Sequence, residues 1–79
     1  MNRRLTLYTR SDCCLCIEMK EVIQKVAGSI AVDIDEIDVD SSPHLAEAFG
    51  DEVPVLFIDQ RKAFKYRVSA GELIKRLGR

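Results

Sequence analysis

The sequence predicts an α/β fold: a four-stranded mixed sheet with helices on both faces, in the order β-α-β-α-β-β-α. Three observations carry this. Period-two and continuous apolar runs alternate with stretches of helical spacing. Helix-start signals follow three of the strands directly. The two strands near the C-terminal end are separated only by a short polar turn, which makes them an antiparallel hairpin. The 79 residues, with 47% hydrophobic and 32% charged side chains, are expected to form a single domain over 1–79.

The elements follow in order. Leu5-Thr6-Leu7-Tyr8-Thr9 alternates and reads as the first strand. Ser11-Asp12 are N-cap types, and Met19, Val22, Ile23 and Val26 then recur at helical spacing. This helix starts around Cys13 and Cys14, and Gly28 stops it. Ile30 to Val39 is a strand whose apolar phase slips, Ile30, Val32 and Ile34 falling on one parity and Ile37 and Val39 on the other. A bulge or a short bent strand around Asp35-Glu36 accounts for the slip. Ser42-Pro43 opens a short helix ending near Gly50. Val55-Leu56-Phe57-Ile58 suits a strand buried on both faces. After the turn Asp59–Lys62, Phe64, Tyr66 and Val68 alternate as its hairpin partner. Ser69 and Glu72 have capping-box spacing, and Leu73, Ile74 and Leu77 form the buried stripe of the last helix. The first βαβ unit is expected to be a right-handed parallel crossover.

Composition excludes several functions. No apolar stretch approaches the length of a membrane span, so no membrane association is expected. A formal net charge of -1 gives no basic excess for nucleic acid. The charges are segregated: Ala27 to Gln60 is acidic and without Lys or Arg, whereas Arg61 to Arg79 is basic apart from Glu72. The basic hairpin (Arg61, Lys62, Lys65, Arg67) suits an acidic partner or the carboxylates of glutathione. The basic start Met1-Asn2-Arg3-Arg4 leads into an apolar stretch too short for a signal peptide, so a cytoplasmic setting is expected.

All three cysteines fall in Cys13-Cys14-Leu15-Cys16. A secreted disulfide framework would spread an even number along the chain. Clustered thiols point instead to redox chemistry or a soft metal. At a helix N-terminus the first amides lack intrahelical partners and the macrodipole is positive, which stabilises a thiolate at Cys13. Cys16, one turn on, is close enough to form a disulfide and less nucleophilic. Arg10 adds positive charge and Asp12 opposes it. Cys14 is left as an accessory thiol, a spectator or a ligand. The rival use is metal: an iron–sulfur cluster or Cu(I) carrier or sensor shared between two chains through the Cys13-Cys14-x-Cys16 cluster. A closed mononuclear zinc site lacks a fourth ligand here, since the single histidine, His44, lies on another helix. A third reading is an interaction module with inert cysteines. Val53-Pro54 precedes an apolar strand. A proline there is an ordinary strand-start residue. With C-x-x-C in a βαβ context, a cis bond would also leave the Val53 amide and carbonyl free to pair with an extended substrate.

On Leu7-Tyr8-Thr9-Arg10-Ser11-Asp12-Cys13-Cys14-Leu15-Cys16 and Val53-Pro54-Val55-Leu56-Phe57-Ile58-Asp59, together with the element order, the whole chain resembles the glutaredoxin-like branch of the thioredoxin superfamily, particularly its small bacterial members. The resemblance implies a thioredoxin-like fold and a thiol-disulfide oxidoreductase that reduces protein or glutathione mixed disulfides. It implies Cys13 as nucleophile and Cys16 as resolving thiol. Arg10 falls where a lysine contacts the glycyl carboxylate of glutathione, Val53 where the backbone pairs with glutathione, and Pro54 on the cis-proline. No metal or organic cofactor is required, with glutathione as the implied co-substrate. The partners are disulfide-containing proteins or glutathione, and a monomer is expected. The chain departs from the resemblance at three places. The Gly-Gly after the second hairpin strand is replaced by Tyr66-Arg67-Val68. The acidic residue at the start of the last helix is replaced by Ser69-Ala70-Gly71. Cys14 stands where proline is typical.

Overall fold

The structure, a computed structural model, describes residues 3–78. The sequence readings that include Met1, Asn2 and Arg79 reach outside these residues. Strand β1 is Arg3–Thr9, helix α1 Cys14–Ala27, β2 Val32–Asp38, helix α2 Pro43–Phe49, β3 Val55–Ile58, β4 Arg61–Lys65 and α3 Ala70–Arg76, with a 3-10 turn at Val39–Ser41. The four strands form one sheet in the order β2-β1-β3-β4. β1 runs parallel to β2 and antiparallel to β3, and β3 is antiparallel to β4. The predicted class and element order therefore hold.

Period-two alternation on the central strands creates two faces. Leu5 and Leu7 of β1 lie level with Ile58 and Leu56 of β3, and all four are buried with Met19, Ile23 and Val26 of α1 and Leu73 and Leu77 at α3. On the opposite face Tyr8 and Phe57 meet Phe49 of α2, with ring centroids 4.7 Å (Tyr8–Phe49) and 5.7 Å (Phe49–Phe57) apart. Burying each large side chain of the first face contributes about 1.5–3 kcal/mol. The surface ion pairs, such as Arg4–Asp35 and Lys20–Glu36, each contribute about 0–1 kcal/mol. The apolar stripe of α1, not surface charge, holds the helix on the sheet.

Three local expectations are corrected: the bulge in β2, the bounds of β4 and the burial of Ile74. β2 contains no bulge, because its register with β1 runs unbroken from Arg3↔Val32 to Thr9↔Asp38. The slip in phase arises because the strand ends at Asp38 and Val39 is buried from the 3-10 turn. The irregularity lies instead on the β3–β4 ladder, between Leu56 and Phe57. β4 begins at Arg61, directly after a two-residue turn at Asp59 and Gln60, and ends at Lys65. Both turn residues have positive φ, 51° and 74°, as a tight hairpin turn requires. Tyr66 leaves the strand with φ 70°. In α3 the Ser69–Glu72 capping box forms in both directions. Leu73 and Leu77 are buried, whereas Ile74 faces outward. Gly28 ends α1, but from ordinary right-handed backbone (φ −71°).

Candidate functional site

The parallel β1–β2 pair places the C-terminal end of β1 beside the start of α1, and the connecting loop carries residues 10–13. Cys13 is the N-cap of α1, in extended backbone, and its sulfur accepts a hydrogen bond from the Cys16 amide at 3.0 Å. The cap is therefore Cys13 itself and not Ser11 or Asp12. A sulfur in this position faces amides that no carbonyl of the helix can satisfy. Cys13 and Cys16 are joined as a disulfide, with Cα atoms 5.2 Å apart. Cys13 is half-buried and Cys16 only 4% exposed, so an incoming group meets Cys13 first. Cys14 is a free, exposed thiol.

Arg10 lies three residues before Cys13, and each of its three guanidinium nitrogens donates a hydrogen bond. Its Nε donates to Asp40 Oδ2 at 3.1 Å and its Nη2 to Asp40 Oδ1 at 3.0 Å. Its Nη1 donates to the Gly50 carbonyl at 3.1 Å. The Asp40 carboxylate, through hydrogen bond and charge, holds the guanidinium above its ordinary pKa, and Asp51 and Asp38 add to the effect. Gly50 is built into this contact: a Cβ there would stand 2.4 Å from the Ala46 carbonyl oxygen and 3.0 Å from Arg10 Nη2. One side chain thus ties the cysteine loop to the turn after β2 and to the end of α2.

A cleft of ≈ 350 Å³ opens beside the disulfide. Arg10, Cys13 and Cys16 line it from the loop and α1, with Lys20 further along the helix and Glu36 and Asp38 from β2. Lys20 Nζ is 2.9 Å from Glu36 Oε1. Val53 and Pro54 do not line this cleft. They occupy the segment entering β3, and the Val53–Pro54 peptide bond is cis. The pairing Tyr8↔Val55 ends the β1–β3 ladder, so this segment lies at the same end of the sheet as the cysteine loop. Pro54 is buried, and its carbonyl accepts from the Tyr66 amide at 2.8 Å. Among the described residues, the Val53 amide and carbonyl take part in no hydrogen bond.

The structure brings together Arg10, Cys13 and Cys16 from the sequence-predicted set and leaves Cys14 facing solvent. His44 is exposed on α2. Among the described residues, no group of three or more His, Cys, Asp or Glu side chains is arranged to hold a metal ion, and no helix is long and apolar enough to cross a membrane. In the basic hairpin Lys62 pairs with Glu52, which holds that carboxyl below its ordinary range, and Arg67 lies 3.6 Å from Glu18. Sequence reasoning missed Asp40, Lys20, Glu36 and Asp38. The acidic stretch was visible as a block, but only the true register of β2 shows which carboxylates reach the cleft.

Comparison with known proteins agrees with this arrangement. The chain is 32% identical over 75 residues to a glutaredoxin-like protein of Dictyostelium discoideum, covering 87% of this chain and 69% of that protein. Its fold matches the solution structure of a Nitrosomonas europaea protein with a TM-score of 0.83 and 26% identity, over 99% of this chain and 94% of that one. It also matches a chloroplastic thioredoxin z, with a TM-score of 0.80 at 17% identity, over 98% of this chain and 76% of that one; this likeness concerns the thioredoxin fold alone. Fold and cysteine pair together support a thiol redox role. The glutaredoxin-like domain (DUF836) model matches residues 4–78, and the chain belongs to that family.

Proposed function

We propose that the chain is a glutaredoxin-like thiol-disulfide oxidoreductase with Cys13 as nucleophile and Cys16 as resolving thiol. The observation that carries this is the Cys13–Cys16 disulfide at the N-terminus of α1, its outer sulfur accessible and its inner sulfur buried. In the reduced protein the Cys13 thiolate attacks one sulfur of a substrate disulfide. A Cys13–substrate disulfide forms, and the other substrate sulfur leaves as a thiolate and takes a proton. Cys16 then loses its proton to solvent and attacks Cys13 Sγ. The second substrate sulfur is released, and the Cys13–Cys16 disulfide remains. Two electrons have passed to the substrate, and a thiol reductant returns them by the reverse exchange at Cys13. The helix N-terminus favours the Cys13 thiolate both as attacking group and as leaving group. The free backbone groups of Val53 suit an extended substrate segment, paired as one added strand.

Trapping with Cys16→Ser tests the reading. The reduced variant is mixed with oxidised glutathione or a short peptide disulfide, and its adducts are located by mass spectrometry. The expected product is a stable mixed disulfide on Cys13. Absence of any adduct on Cys13 would refute the assignment.

A further inference from the structure

The cleft beside the disulfide contains two cations, and neither is free. Arg10 is held side-on by the Asp40 carboxylate, with Nη1 on the Gly50 carbonyl. Lys20 is paired with Glu36. Asp38 also lines the cleft, and one of its carboxylate oxygens accepts from the Asp40 amide. Two cations, Arg10 and Lys20, therefore stand against three carboxylates: Glu36 and Asp38, which line the cleft with Cys13 and Cys16, and Asp40, which is paired to Arg10. A carboxylate entering with a substrate must displace Asp40 from Arg10 or Glu36 from Lys20, or remain unpaired beside Asp38. Displacement exchanges one carboxylate for another with little gain, and it leaves Asp40 or Glu36 without its partner. Remaining unpaired adds like-charge repulsion, which acts directly on partner choice and on association rate.

We propose that this cleft selects disulfides with neutral or cationic groups next to sulfur over small thiols that bear carboxylates, and that Asp40 determines this specificity by withholding Arg10. The inference rests on the oxidoreductase reading above and narrows its substrate class to peptide and protein disulfides with uncharged or basic flanks. The exchange step is unchanged: attack by the Cys13 thiolate and departure of a substrate thiolate. The charge of the flanking groups sets how often that attack occurs. Asp40 needs no contact with the reacting atoms for this, since it acts through Arg10.

The test compares second-order rate constants for reduced protein reacting with two disulfides. One is oxidised glutathione, which is anionic, and the other is the symmetrical disulfide of acetyl-Lys-Cys-amide, which is cationic. Each is divided by the rate of dithiothreitol with the same disulfide, to remove intrinsic sulfur reactivity. The expected wild-type preference for the cationic disulfide is about tenfold at low salt, shrinking as salt screens the cleft. Asp40→Asn keeps the side-chain shape and releases the charge on Arg10. It is expected to shift the ratio toward oxidised glutathione by about fivefold or more. Arg10→Gln combined with Asp40→Asn is expected to cancel that shift. A wild type that reacts with oxidised glutathione as fast as with the cationic disulfide would overturn the inference. So would an Asp40→Asn ratio equal to that of wild type. In either case adducts still form on Cys13, and the oxidoreductase reading stands. If neither disulfide reacts at Cys13, both fall together. The salt dependence reads the same charge effect in unmutated protein, so a poorly folded variant does not decide the outcome.

Discussion

The Cys16 amide donates a hydrogen bond to Cys13 Sγ across 3.0 Å, so the N-cap acceptor of α1 is a sulfur. The same atom that caps the helix is the one exposed for exchange. Capping and reactivity are therefore linked, because whatever stabilises negative charge on this sulfur also completes the first turn of the helix. The link can be measured without the disulfide, by placing both variants in a Cys16→Ser background. Cys13→Ser retains a cap acceptor and Cys13→Ala removes it. Denaturant unfolding is expected to show the alanine variant less stable than the serine variant by about 0.5–2 kcal/mol. Equal stability would mean that the cap contributes nothing.

Tyr66 occupies the place where the resemblance leads one to look for glycine, and its φ of 70° lies in the region that glycine tolerates best. The Arg67 amide donates to the Lys65 carbonyl at 2.8 Å across it, which makes the bend a γ-turn. Its ring gives partial compensation, with Lys65 Nζ 5.4 Å from the centroid and the hydroxyl donating to the Asp51 carbonyl at 3.3 Å. A β-branched residue has no such contacts and fits positive φ least well. Tyr66→Val is expected to be less stable than Tyr66→Gly by about 1–2 kcal/mol in thermal or denaturant unfolding. The opposite order would show that this bend is not held by local geometry.

Asp59 fastens the hairpin turn to β1. Its carboxylate accepts from the Arg4 amide at 2.9 Å and pairs with Arg3. The Arg4 amide, and then Arg3, hold its carboxyl below the ordinary range. A depressed carboxyl stabilises the fold above its unfolded pKa, and that stability is lost as pH falls through the folded value. Asp59→Asn keeps a residue suited to positive φ and removes the charge. The stability difference between wild type and this variant is expected to be largest at neutral pH and to shrink as pH falls below about 4. A difference that stays constant across that range would count against the role of charge.

Much of this architecture was legible because strong periodicity coincided with the core. Leu5 and Leu7, Met19 and Ile23, and the run Val55–Ile58 are buried as the pattern predicted, with Phe57 the partly exposed exception. The cysteine loop was legible as well, because a strand followed by a helix start leaves few places for Cys13. What escaped was decided by tertiary pairing. Val39 keeps its burial from a 3-10 turn, so its parity misled the reading of β2. Ile74 lies on α3 next to buried Leu73 and stays 36% exposed. Arg10 was visible as a cation near the thiols, but its partner Asp40 is distant in sequence and arrives only through the β1–β2 register. Tyr66 gave no warning, since aromatic residues alternating with lysine and arginine read as a continuing strand.

Of the three cysteines, Cys13 is the one proposed to react. The direct measurement is site-resolved alkylation of the fully reduced wild-type protein with iodoacetamide at pH 6, with each cysteine followed by mass spectrometry. Cys13 is expected to be labelled first and faster than a free thiol, Cys14 to react as an ordinary exposed thiol, and buried Cys16 to be slowest. Labelling of Cys13 no faster than that of Cys14 would contradict that assignment.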